Sequence, residues 1–84
     1  MKEYQLYCYN FRGEIELVRP YRTLKQARKE AKKWLSESYF KNDFVRIYAY
    51  RRDEHNQEGE IYNCWLIKKE GEIYNDWLIK KGEK

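Results

Sequence analysis

One segment of this chain is written twice. Residues 59–69 read GEIYNCWLIKK and residues 71–81 read GEIYNDWLIKK, a period of twelve with one difference, Cys64 against Asp76. Each copy alternates. Ile61, Asn63, Trp65 and Ile67 fall on one side, and Tyr62, Cys64 and Leu66 on the other. The second copy sets Ile73, Asn75, Trp77 and Ile79 against Tyr74, Asp76 and Leu78. Period-two alternation predicts a β-strand. An even period keeps the same polarity in both copies. The pair therefore predicts an antiparallel hairpin closed by a three-residue loop, Lys69-Glu70-Gly71. In that register Ile67 faces Ile73, Trp65 faces Asn75, Asn63 faces Trp77 and Ile61 faces Ile79. Two other arrangements satisfy the repeat. The copies can compete for one slot in the sheet, or the second can pair with another molecule. An unpaired aspartate is costly on a buried face, so either the Tyr62, Cys64 and Leu66 face is expected to be buried in the first copy, or the matching face of the second copy is expected to be wet. Lys80, Lys81 and Lys84 flank the second copy and oppose edge-to-edge aggregation. A period repeated only twice is a duplication, natural or engineered, and not a solenoid.

The other segments complete an α+β reading. YQLYCYN and EIELV predict a hairpin around Phe11-Arg12-Gly13, with Tyr9 facing Ile15, Tyr7 facing Leu17, and Leu6 beside Val18 on the other face. Pro20 ends that strand. Thr23 is a good N-cap, and Gln26 three residues later completes a capping-box pattern. A helix is expected from Leu24 to about Ser38, with Leu24, Ala27, Ala31, Trp34 and Leu35 as its apolar stripe. Lys41 to Asp43 reads as a turn. FVRIYAYR is the clearest strand, with Val45, Ile47 and Ala49 on one face and Phe44, Arg46, Tyr48 and Tyr50 on the other. The expected order is β-β-α-β-β-β, an antiparallel sheet with one helix across one face. All 84 residues form one domain, in which 1–69 is the core unit and 70–84 the duplicated strand.

Little in the chain supports catalysis. The lone histidine, His55, lies in a polar loop with no carboxylate or thiol cluster to orient it. Cys8 and Cys64 give neither a zinc spacing nor a disulfide framework and read as reduced strand cysteines. The sequence holds no phosphate-cradling glycine loop and no nucleophile elbow. No enzyme activity, metal or cofactor is expected. No apolar run is long enough for a membrane span, and the N-terminus does not read as a signal peptide, so a cytoplasmic protein is expected.

Binding is the expected role. The formal net charge is +4, which favours acidic partners. The segment from Leu24 to Ser38 holds five basic residues (Lys25, Arg28, Lys29, Lys32, Lys33) against two acids. Lys25, Arg28, Lys29 and Lys32 share one helix face suited to phosphates. Arg46, Tyr48 and Tyr50, extended by Arg51 and Arg52, interleave cation and ring in a pattern suited to unpaired bases. The leading expectation is a non-enzymatic nucleic-acid-binding protein that self-associates. Tyr7, Tyr9, Ile73, Trp77 and Ile79 are the expected interface residues. The alternatives are a protein-interaction or inhibitor module, of the kind mobile elements carry, that uses the aromatic sheet face, or a 69-residue domain carrying an engineered extra strand. A second copy of the chain or a larger protein would then be the partner.

Overall fold

A computed structural model describes residues 2–51 and 60–73. It is a small α+β fold, an antiparallel sheet with one helix on one face. The elements are β1 (Lys2–Tyr9), β2 (Ile15–Tyr21), α1 (Leu24–Glu37), β3 (Phe44–Arg51), β4 (Glu60–Lys68) and β5 (Gly71–Ile73). Across the sheet they run β2-β1-β3-β4-β5. Four full strands make the sheet, and β5 adds a three-residue edge beside β4. Arg52, His55, Trp77 and Ile79 lie outside the described residues.

The helix begins where capping chemistry places it. Thr23 Oγ1 accepts the Gln26 N–H at 3.1 Å, satisfying one of the first-turn donors. Its end is closed by Ser38, whose N–H and hydroxyl both donate to the Leu35 carbonyl, at 3.3 and 2.9 Å. Ala27, Ala31 and Leu35 are buried against the sheet, and Leu24 and Trp34 close the sides. Under them the register aligns two rows of side chains: Leu6, Ile47 and Trp65, then Cys8, Val45 and Ile67. All six are buried. Small residues on α1 let the helix axis approach the sheet closely, so these rows fill the space between the layers.

The hairpin of β1 and β2 closes as expected at its tip. Gly13 sits at φ 81°, a region that L side chains avoid. The Asn10 side chain fixes the loop by accepting the N–H groups of Arg12 and Glu14 at 2.9 and 3.0 Å. Tyr9 pairs with Ile15, but the register then shifts, and Cys8 pairs with Leu17 while Tyr7 pairs with Val18. Glu16 is the extra residue of a β-bulge. Leu17 therefore joins the core, and Val18 moves to the sheet face opposite α1, reversing the expected placement of both.

A second bulge sits in β4. Ala49 pairs with Asn63 and Tyr50 with Ile61, so Tyr62 is the extra residue. Asn63 Oδ1 accepts the neighbouring Cys64 N–H at 2.9 Å. Below the bulge Cys64 and Leu66 lie on the face opposite the helix, as the alternation predicts. Above it the faces exchange: Tyr62 packs against the helix-side core, and Ile61 lies opposite Tyr50.

The turn between the two copies is tighter than expected. Lys68 pairs with Gly71, Ile67 with Glu72 and Leu66 with Ile73, leaving Lys69-Glu70 as a two-residue loop. Ile73 thus lies opposite Leu66 and not Ile67. The reason is local. Gly71 adopts φ 149°, which lets the ladder resume one residue early, and a two-residue loop suits the twist of paired strands.

The first copy fills the interior slot, and Cys64 there has no exposed surface. The one position that separates the copies is therefore fully buried. Cys64→Asp should destabilise the fold by about 2 kcal/mol or more, tempered by Arg46, whose Nη1 lies 4.0 Å from the sulfur. Urea denaturation reads this directly, and equal midpoints would refute it. Among the described residues the buried core cluster ends at Ile67. Truncation after Lys69 should therefore leave a cooperatively folding chain, checked by the sharpness of its thermal transition.

Candidate nucleic-acid interface

Two surfaces were expected from the sequence, and the sheet separates them. Lys25, Lys29 and Lys32 project from the outer side of α1 and are exposed. Arg28 is half-buried, because its guanidinium lies over the Trp65 ring, 5.9 Å from the centroid. That contact places the basic face on the β4 side of the helix. There it meets Lys69, which the sequence reading did not include. A cleft of about 400 Å³ between the last turns of α1 and the β4–β5 turn is lined by Lys32, Leu35, Ser36, Ile67, Lys68, Lys69, Glu70 and Gly71. Lys69 Nζ donates to the Ser38 carbonyl at 2.8 Å. This places a cation at the negative end of the helix dipole and ties the turn to the helix. Lys69 precedes Glu70-Gly71 in sequence, so it reads there as turn punctuation. Only the antiparallel return of β4 brings it beside a helix 31 residues away.

The opposite face of the sheet carries Arg46, Tyr48 and Tyr50 from β3 and Tyr7 and Tyr9 from β1. The register interlocks them, with Tyr7 beside Arg46, Gln5 beside Tyr48, and Tyr9 beside Phe44. Tyr9 and Phe44 stack, with centroids 4.8 Å apart and planes at 9°. Tyr7 meets Tyr48 edge-on at 5.2 Å. Burial, and then a hydrogen bond with Tyr9, raises the Tyr48 phenol well above its usual range. No described element covers this face, and its edge is aliphatic: Ile15 and Val18 are 54% and 44% exposed. Arg51 does not extend it. Arg51 belongs to the helix side, stacked over Tyr62 at 4.9 Å, because it shares the phase of Ile47 and Ala49. Ile73 enters the sheet at its far edge, remote in strand order from Tyr7 and Tyr9.

A third cluster escaped the sequence reading. Phe11 packs on Phe40 at 4.5 Å, and Phe40 meets Tyr39 at 4.9 Å. Phe11 lies in the hairpin loop and the other two in the turn before β3, so no periodicity links them. Asp43 anchors that turn. It is buried, its carboxylate accepts the Phe40 N–H at 3.4 Å, and its own N–H donates to the Phe40 carbonyl at 3.2 Å.

The titratable groups that the fold perturbs are structural. Burial first, with smaller opposing effects from Arg19 and Glu16, pushes the Cys8 thiol up from 9.0 to about 12. Burial and a hydrogen bond with Tyr4 raise Tyr62. Among the described residues no group of three or more His, Cys, Asp or Glu side chains could hold a metal. No helix among them is long and apolar enough to cross a membrane. Compared with known proteins, the chain matches no family model, no curated protein and no solved structure.

The raised thiol has a consequence for stability. Unfolding releases the Cys8 thiol to ionise near 9, while the folded state holds its proton to about 12. The folded state therefore binds more protons in this window, and stability falls as pH rises through it. Denaturation midpoints should drop between pH 8 and pH 10.5, and Cys8→Ala should flatten that slope whatever it does to the absolute midpoint.

Proposed function

We propose that this protein is a non-enzymatic nucleic-acid-binding module whose phosphate contacts lie along α1. One observation carries the reading: the cleft at the end of the Lys25, Arg28, Lys29 and Lys32 face is lined by Lys32 together with Lys69 of the β4–β5 turn. A lysine-rich helix face alone is usually a solvated side. Here a further cation from a different element lies beside it, an arrangement suited to a polyanion. Lys25 and Lys32 are seven residues apart, about 10 Å along the axis, or about three nucleotide steps of a stacked strand. Three phosphate contacts correspond to a slope of about −2 to −3 in log K against log salt.

Fluorescence anisotropy with labelled single- and double-stranded oligonucleotides should show that slope. Lys25→Glu, Lys29→Glu and Lys32→Glu together should abolish binding; all three are exposed, so the fold should survive. Retained binding in that variant would move the interface to the Arg46 and tyrosine face.

The face opposite the helix supports a second reading, as a protein-contact surface, with a second copy of the chain as the partner. Exposed Ile15 and Val18 beside the tyrosines favour it, since an apolar and aromatic face of this kind is how protein interfaces are built. Val18→Lys should shift sedimentation toward monomer if copies associate there. An unchanged distribution would count against this face as the interface.

A further inference from the structure

We infer that the cleft beside Ser36 takes one unpaired nucleotide of a nucleic-acid strand whose backbone follows α1. This rests on the nucleic-acid reading above and gives its site a substrate preference, for strands with unpaired nucleotides over uninterrupted duplex. The cleft differs from the ridge that leads to it. Its floor is apolar, formed by Leu35 and Ile67, which are 4% and 2% exposed. Its rim is lined by Lys32, Ser36 and Glu70. A volume of about 400 Å³ falls within the range of about 300–1,000 Å³ found for small-molecule sites.

Those chemistries match the parts of one nucleotide. An apolar floor accepts the face of a base, which gains by leaving water. The amino and imino hydrogens of a base can donate to Glu70. Lys32 can hold the phosphate that joins this nucleotide to the next. Lys25, Lys29, Lys32 and Ser36 follow one another at helical spacing, so a strand tracking the ridge arrives at the cleft mouth. A paired base cannot enter, because its edges are held by its partner and its faces by its neighbours.

The cleft is also preformed. Lys69 Nζ holds the Ser38 carbonyl at 2.8 Å, and the Ser36 hydroxyl donates to the Lys33 carbonyl at 2.7 Å. Ser38 covers the Leu35 carbonyl. The helix end would otherwise present these carbonyls to an anion and repel it. Here each of the three is occupied by a donor, one of them a cation.

The test compares a blunt duplex with the same duplex carrying three-nucleotide overhangs, in 5′ and 3′ versions, by anisotropy at constant salt. Burying about 60 Å² of base surface corresponds to about tenfold in affinity. One overhang version should bind about tenfold tighter than the blunt duplex. Ser36→Trp fills the cleft mouth from an exposed helix position and leaves every ridge charge in place. It should bring the overhang duplex down to the blunt affinity, with blunt binding and the salt slope unchanged. Ser36→Ala should keep the preference. Equal binding of all three duplexes, or an overhang preference that survives Ser36→Trp with a native thermal transition, would overturn the cleft assignment and leave the ridge standing. Absence of binding by every probe at low salt would remove the ridge and the cleft together.

Discussion

The contact on which the rest of the structure depends is the seating of Ala27 and Ala31 over the Leu6–Ile47–Trp65 row. Both alanines and most of that row have no appreciable exposed surface. Larger side chains at either helix position would lift α1 off the sheet and open the space that Cys8, Val45 and Ile67 fill. Among the described residues one helix covers the helix-side core face. The seating also fixes which side of α1 faces β4. Arg28 comes to rest over Trp65, Lys32 and Ser36 reach the β4–β5 turn, and the cleft follows. The candidate site is thus a by-product of where two alanines fall in the helix stripe.

Much of this was legible in the residues. The α1 stripe, its Thr23 cap, the clean alternation of β3 and the glycine of the first hairpin all carry local signals that the fold obeys. The elements with strong periodicity landed where they were expected. The two bulges were not legible, because a bulge inserts a backbone residue without a side-chain signature. Glu16 and Tyr62 look like ordinary strand positions until their partners are known. Each bulge exchanges the faces beyond it, and this is why Val18 and Ile61 are outside while Leu17 and Tyr62 are inside. The tight Lys69-Glu70 turn is a related case. A loop of two or three residues fits the same letters, and Gly71 decides between them only through its backbone angle.

The site was half legible. The helix lysines follow from spacing alone, and Arg46, Tyr48 and Tyr50 do share a face. That this face and the basic helix point in opposite directions is a property of the layer order, which no local pattern encodes. Arg51 illustrates the point. It continues the run of basic and aromatic letters in β3, yet strand phase carries it to the helix side and onto Tyr62. Lys69 illustrates the converse, since a turn distant in sequence brings a cation to the end of the helix.

The duplication can now be read in physical terms. The interior slot beside β3 needs a residue that tolerates complete burial between Tyr48 and Arg46, and cysteine meets that need as a small, weakly polar side chain. Aspartate could occupy the same volume only as an ion beside the Arg46 guanidinium or as a neutral acid, and both carry a desolvation cost. The difference at this one position therefore distinguishes two otherwise matched strands. The copy with cysteine is the one that completes the core, and among the described residues the following copy joins the sheet through Gly71–Ile73. The shift to Leu66 opposite Ile73 strengthens the asymmetry. The expected register would have set Ile73 opposite Ile67, in the phase of the first copy, whereas the observed shift sets it opposite Leu66, in the other phase. Sequence identity between the copies thus does not make them interchangeable, because complete burial at Cys64 favours one assignment.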